Sequence, residues 1–215
     1  MEVRGPEDLV AAARAAGVAD ARVHAALRSV PRALFVPPSE VDRAYSDEPL
    51  QIAHRQVTTQ PSLVARMVEA LALNGSEPVL EIGTGYGWQT ALLASLAGFV
   101  WTVERWPDLA EAARLNLGSY GTQNVDVVVG DGSKGLAEHA PFEAILVSAA
   151  FPQVPPPLAE QLAPGGRLVQ PIGWGGSEDV VLFERRGDRV VASRSLTAAR
   201  FVPLVGKYGF PGQKR

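Results

Sequence analysis

The stretch Val79-Leu80-Glu81-Ile82-Gly83-Thr84-Gly85-Tyr86-Gly87-Trp88-Gln89-Thr90-Ala91-Leu92-Leu93 decides the fold. Four residues of strand character run into glycines at alternate positions, and an apolar helical run follows. Glycine lacks a Cβ and tolerates positive φ, so such a turn lets a ligand approach the backbone closely; a tight turn without a ligand is the plainer alternative. Outward from this unit the alternation continues. Strands read at 99–104, 125–129, 144–147 and 167–172, and helices at about 88–97, 108–117 and 158–162. Strands separated by helices predict right-handed βαβ units, hence an α/β fold with a doubly wound, mostly parallel, Rossmann-like sheet. Runs at 180–184 and 190–194 flank Arg185-Arg186-Gly187-Asp188-Arg189 and predict a hairpin that adds an antiparallel edge.

Upstream of the glycine loop, Pro61 opens an amphipathic helix with the stripe Leu63, Val64, Met67, Val68 and Leu71, closed by Asn74-Gly75. Two shorter helices are predicted before it, one from Pro6 to just before Gly17 and one over about 20–29. Between them and Pro61 lies a segment with Pro31, Pro37, Pro38 and Pro49 and little periodicity, which reads as an ordered cover. The organisation expected is one domain over 1–215, with helices and cover in 1–60 and the core in 61–215.

Composition narrows the chemistry. With 47% hydrophobic and 20% charged residues, the 215-residue chain can bury a sizeable core. Its 20 Lys and Arg against 23 Asp and Glu leave a net charge of -3, which gives no electrostatic footprint for nucleic acid or an anionic membrane. The absence of cysteine removes disulfides, thiolate metal sites and a thiol nucleophile, and no His/Asp/Glu spacing suggests a metal. The most apolar run, 90–103, is shorter than the roughly 18 residues of a spanning helix. The start Met1-Glu2-Val3-Arg4 has no apolar h-region, so a cytoplasmic protein is expected.

Two acids flank the glycine loop. Glu81 sits just before it, and Glu104 ends the next strand, where a carboxylate can accept both hydrogens of a ribose diol. Together they describe an adenosine site. A dinucleotide fingerprint wants glycine or alanine where Trp88 stands. An acid at Glu81 would repel a pyrophosphate but suits an ammonium and a sulfonium, the charges of S-adenosylmethionine. Asp131, in Val127-Val128-Val129-Gly130-Asp131-Gly132, ends the third strand, where it can accept from an adenine amino group or simply form an Asx turn.

With these residues in hand, the chain resembles the protein-L-isoaspartate O-methyltransferase family. The matching segments are VPRALFVP (30–37), PLQIAHRQVTTQP (49–61), VLEIGTGYGWQTALLA (79–94), VVVGDGSKGLAEHAPFEAILVSAA (127–150), LAPGGRLVQPIG (162–173) and RFVPLVG (200–206). The resemblance implies an S-adenosylmethionine-dependent carboxyl O-methyltransferase acting on L-isoaspartyl residues of damaged proteins or peptides, leading through a succinimide back to aspartate. Carried onto this chain, Val57, Thr58 and Thr59 match the loop that covers cofactor and acceptor, with Thr59 at the active-site serine. Glu81, Gly83 and Gly85 match the cofactor loop, Glu104 the ribose acid and Asp131-Gly132 the adenine contact. Val202, in Arg200-Phe201-Val202, matches the strand lining the substrate cleft.

The bland roles stay open beside these. Thr59 precedes Pro61 and can cap the helix, and His54 is either a substrate or loop-closing contact or a histidine satisfied by backbone. Ala53 and Arg55 replace glycines of the family's IGHGQTISQP, and Thr59 replaces its serine; Phe151 and Trp174 are bulkier than usual beside the cleft. These departures bear on the acceptor, so a dedicated peptide client is the alternative, with a non-catalytic S-adenosylmethionine-binding module behind it.

Overall fold

Strand residues of alternate parity leave the sheet on opposite faces, and this splits the core in two. Val79, Val100, Val127, Ala144, Leu146 and Val169 join one buried cluster, whereas Leu80, Ile82, Val103, Ile145, Val147 and Leu168 join the other. The computed structural model describes residues 4–212; positions 1–3 and 213–215, included in the single-domain reading, lie outside the described residues. The strands are β1 (Pro78–Ile82), β2 (Phe99–Glu104), β3 (Val125–Val129), β4 (Phe142–Val147), β5 (Leu162–Ile172), β6 (Glu178–Arg186) and β7 (Arg189–Ala199). They form one seven-stranded sheet in the order β3-β2-β1-β4-β5-β6-β7. The pairs up to β5 are parallel, and β5–β6 and β6–β7 are antiparallel. Strand order reverses between β1 and β4, which opens a crevice at their carboxyl ends.

The helices are α1 (Pro6–Ala15), α2 (Ala21–Ser29), α3 (Pro61–Leu71), α4 (Trp88–Ala94), α5 (Pro107–Tyr120) and α6 (Pro156–Gln161). Helices α1 to α4 supply the first cluster through Leu9, Val10, Leu27, Val64, Met67, Val68 and Leu92. The two N-terminal helices therefore pack over α3 and α4. Asp20 caps α2 by accepting from the Arg22 amide at 2.8 Å. The predicted cover contains three short 3₁₀ turns, Arg32–Phe35, Pro38–Arg43 and Ala53–Arg55. Among the described residues, no helix is long and apolar enough to cross a membrane.

Several boundaries differ from expectation, among them α4, which ends at Ala94, and β7, which runs to Ala199, and two of the differences have a clear physical reason. Helix α3 ends at Leu71, with Ala72 left-handed at φ 49°, before Asn74-Gly75. The Glu77 carboxylate accounts for this by gathering the amides of Asn74, Gly75 and Ser76 at 2.6, 3.0 and 3.1 Å into a separate turn. Strand β5 begins at Leu162, ahead of the apolar run, because Leu162 pairs with Phe142 before a register shift. Close packing at the start of β2 is tightest at Gly98, where a Cβ would lie 2.5 Å from the Ser76 carbonyl oxygen. Gly98→Ala is expected to destabilise the fold by about 2 kcal/mol, lowering the melting temperature by roughly 5 °C in a thermal denaturation.

Candidate active site

The loop after β1 follows its glycines. Gly83, Gly85 and Gly87 all have positive φ (96°, 55° and 92°), a conformation that L side chains rarely adopt. A Cβ on Gly83 would come 3.3 Å from Ser148 Cβ, so this loop and the residue after β4 nearly touch. Gly132 is tighter still, with a notional Cβ 2.4 Å from Ile82 Cγ2. Around these turns lies a cavity of about 160 Å³ at the carboxyl ends of β1, β2 and β4. Its wall includes Gly83, Gly85, Gln89, Glu104 and Gly132 from the sheet side and Ile52 and Val57 from the cover.

The predicted acids take three different positions. Glu104 lies on the cavity wall, nearly buried, and its two carboxylate oxygens accept from the amides of Gly85 and Trp106 at 3.0 Å each. Burial raises its pKa and these amides pull it back, leaving it above the ordinary carboxylate value. Glu81 does not line the cavity. It has the parity of Val79 and points beneath α4, fully buried, where Oε2 accepts from Thr90 Oγ1 at 2.5 Å and Thr102 Oγ1 at 2.6 Å. Its Oε1 accepts from Gln89 Nε2 at 2.8 Å, and the same amide donates to Ser148 Oγ at 2.8 Å. Glu81, expected to bind the cofactor, therefore has no surface on the cavity, and its link to the wall is Gln89. Gln89 Oε1 is buried without a hydrogen-bond partner among the described residues, and Gln89 lines the cavity.

Asp131 forms the Asx turn, its Oδ1 accepting from the Ser133 amide at 3.0 Å and hydroxyl at 2.6 Å, and its Oδ2 from the Lys207 amide at 2.8 Å. It seats the C-terminal loop and is not part of the cavity wall, whereas its neighbour Gly132 is.

The cover segment is fastened from behind by Arg32. This fully buried side chain donates to the carbonyls of Ala44 and Ser46 at 3.0 Å, Glu48 at 3.2 Å and the Thr58 hydroxyl at 2.9 Å. Thr58 Oγ1 also accepts from the Leu50 amide at 3.1 Å. Asp47 takes over the cap of α3, accepting from the Ser62 amide and hydroxyl at 2.8 Å each and from Gln60 Nε2 at 2.8 Å. The capping role considered for Thr59 is therefore filled by another residue. The Thr59 hydroxyl makes no hydrogen bond among the described residues.

A second cavity, of about 350 Å³, lies across the cover loop and is bounded by α3 and the end of β7, with Arg66 and Arg200 in its lining. Val57, Thr58, Thr59, Ser148 and Val202 line both cavities, so these five residues form the boundary between them. Val202 is held there by its carbonyl, which accepts from the Ala150 amide at 2.8 Å. His54, expected to contact substrate, lines neither cavity; its ring stacks on Trp106 with centroids 3.9 Å apart. Gln89 and Ser148 were not singled out from the sequence as site residues. The parity of β1 and the position of Ser148 directly after β4 are the signals that mark them.

Burial pushes the Glu81 pKa up to about 7, opposed by the three hydrogen bonds and assisted by the negative charge of Glu104. The folded state then holds a proton that the unfolded chain releases near 4.5. This contribution to stability is full below about pH 4.5 and is lost as pH rises through about 7. Glu81→Gln keeps both acceptor and donor roles once the Gln89 amide turns over, using its unpaired oxygen. Compared with the variant, the parent chain is expected to lose roughly 3 kcal/mol more between pH 4.5 and 8, read from denaturant unfolding at each pH.

The model of the family described as protein-L-isoaspartate(D-aspartate) O-methyltransferase matches residues 4–209. The protein-L-isoaspartate O-methyltransferase of Anaeromyxobacter dehalogenans is 54% identical over 190 residues, covering 87% of this chain and 91% of its own. That of Methanoculleus marisnigri is 48% identical over 200 residues, covering 93% and 90%. A solved protein-L-isoaspartate O-methyltransferase shares the fold with a TM-score of 0.82 at 29% identity, covering 95% of this chain and 67% of its own. A Plasmodium falciparum chain solved with S-adenosyl-L-homocysteine has the same fold, with a TM-score of 0.79 at 20% identity over 94% of this chain and 99% of its own. The chain belongs to the protein-L-isoaspartate O-methyltransferase family.

Proposed function

We propose that this chain is an S-adenosylmethionine-dependent carboxyl O-methyltransferase that acts on L-isoaspartyl residues of damaged proteins and peptides and starts their repair through a succinimide. The observation that carries the reading is the half-buried Thr59 hydroxyl, without a hydrogen bond among the described residues, on the boundary shared by the two cavities. One cavity suits a methyl donor, the other an acceptor, and the boundary is where they meet.

The donor set of the first cavity fits S-adenosylmethionine. Glu104 offers a carboxylate to a ribose diol, Gly83 and Gly85 let a ligand lie against backbone, and Gly132 edges the adenine end with Asp131 behind it. The unpaired Gln89 oxygen suits an ammonium, with Glu81 behind its amide as a second-order partner. When bound, the cofactor supplies a methyl group on an electron-poor sulfonium.

The acceptor needs no general base, because a carboxyl group with a pKa of about 4 is ionised at neutral pH. Arg66 and Arg200 draw that anion into the second cavity, and Val57 and Val202 shape the passage to the first. Thr59 donates one hydrogen bond to the acceptor carboxylate. A single neutral donor orients the group and leaves most of its electron density for attack.

Trp174 favours the second reading, a dedicated peptide client. It lines neither cavity, but it is 82% exposed beside Phe210, with ring centroids 6.2 Å apart, and offers apolar surface outside the two cavities.

The test is methyl transfer from labelled S-adenosylmethionine to a matched pair of peptides, one isoaspartyl and one aspartyl at the same position. Base-labile ester on the isoaspartyl peptide alone is expected. No transfer to either peptide, with cofactor bound in calorimetry, contradicts the repair reading and directs the search to a special client. Thr59→Val is expected to lower kcat/KM for the isoaspartyl peptide roughly 10–100-fold with cofactor affinity within about twofold, whereas Thr59→Ser retains most activity.

A further inference from the structure

Ala53-His54-Arg55 forms the tip of a narrow hairpin in the cover. The Gln51–Val57 bridge closes it, with the Ile52 amide donating to Gln56 O at 2.9 Å and the Thr58 amide to Leu50 O at 2.8 Å. At the tip, two successive residues that carry a Cβ, His54 and Arg55, sit at φ 58° and 57°. The left-handed region is unfavourable for such side chains, and a pair in a row persists only when surrounding contacts over-determine it. Glycines relax such a turn, and this chain has none between Gln51 and Val57.

The holding contacts come from the start of α5, 54 residues away in sequence. The His54 ring lies flat on Trp106, centroids 3.9 Å apart and planes 3° from parallel. His54 Nε2 stands 2.8 Å from both Asp108 oxygens. Arg105 places its guanidinium carbon 4.9 Å from the Trp106 ring centroid. Trp106 is itself anchored, its amide donating to Glu104 Oε1 at 3.0 Å. The hairpin and α5 thus meet above the first cavity, which Ile52, Gln56 and Val57 line from one side and Glu104, Arg105 and Leu109 from the other. Ile52 also rests on the glycine loop, 3.7 Å from where a Gly85 Cβ would stand.

We propose that His54 is a positioning residue for the cofactor: it latches the 51–57 hairpin to Trp106 and Asp108, and release of this latch sets the rate at which cofactor enters and its demethylated product leaves. The proposal rests on reading the first cavity as the S-adenosylmethionine site. Strain at His54 and Arg55 favours opening, and the stack and the carboxylate contact favour closure. An exposed pair such as His54–Asp108 contributes little by itself, so the stacked ring supplies the larger share.

The experiment measures S-adenosylhomocysteine binding by calorimetry and its dissociation by stopped-flow displacement, followed through tryptophan fluorescence, in the full chain. His54→Ala is expected to speed dissociation about tenfold and to raise the KM for S-adenosylmethionine, with the KM for an isoaspartyl peptide within about twofold. Asp108→Asn, which keeps the stack, is expected to speed dissociation about threefold. His54→Tyr, which keeps an aromatic face on Trp106, is expected to restore a slow rate. Dissociation unchanged in both His54→Ala and Asp108→Asn overturns the latch. If His54→Ala does not fold, the Asp108→Asn and His54→Tyr rates decide alone, and an unchanged rate in Asp108→Asn together with fast release in His54→Tyr overturns it. If the parent chain binds no S-adenosylhomocysteine, it is the reading of the cavity that fails.

Discussion

A guanidinium buried with no carboxylate in contact is costly unless its donors find oxygens, and the cover segment of this protein provides four of them to the two terminal nitrogens of Arg32, leaving only Nε without a partner among the described residues. Burial depresses the Arg32 pKa to about 10, with Asp47 and Glu48 pulling the other way from a distance. Three backbone carbonyls, from Ala44, Ser46 and Glu48, converge on it, and the guanidinium carbon lies 5.2 Å from the Trp88 ring centroid. Trp88 opens α4 directly after the glycine loop, and its indole donates to Val30 O at 3.3 Å. One side chain thereby fixes the cover to the element that shapes the first cavity. A segment rich in proline and poor in regular hydrogen bonding can be ordered in this way without becoming a helix or a strand.

The placement of Thr58 and Thr59 follows from the same arrangement. Thr58 spends its lone pairs on Arg32 and Leu50, and Asp47 satisfies the start of α3, so the Thr59 hydroxyl is left with no partner among the described residues. An unpaired hydroxyl between two cavities is what a reaction joining a donor and an acceptor requires. Glu81 plays the matching part below the loop. It holds Gln89, Thr90 and Thr102 in one buried network that ties α4 to β1 and β2, off the cavity wall.

Most of the architecture was legible because period-2 and period-3.6 patterns are local. The glycine loop, the strand ending at Glu104 and the antiparallel hairpin all carry their signal within a few residues. The site was legible in part. Glu104 reached the cavity because it ends a strand beside the switch point. Glu81 did not, since proximity to the loop in sequence says less than strand parity, and its partner Thr102 becomes its neighbour only through the β1–β2 register. Arg32 and His54 act through partners far along the chain, and no local pattern announces a convergence of carbonyls or a ring stacked on a distant indole. The family resemblance pointed to Thr59, but the freedom of its hydroxyl from capping depends on Asp47, 15 residues before Ser62.

The central claim is that methyl donor and acceptor occupy separate cavities and meet at Thr59. A crystal structure of the chain with S-adenosylhomocysteine and an isoaspartyl peptide tests it most directly. The account predicts ribose hydroxyls on Glu104, the ligand sulfur facing the boundary formed by Val57, Thr59, Ser148 and Val202, and the peptide carboxylate accepting from Thr59 Oγ1 in the second cavity. A sulfur turned away from that boundary, or a carboxylate bound out of reach of Thr59, would contradict it.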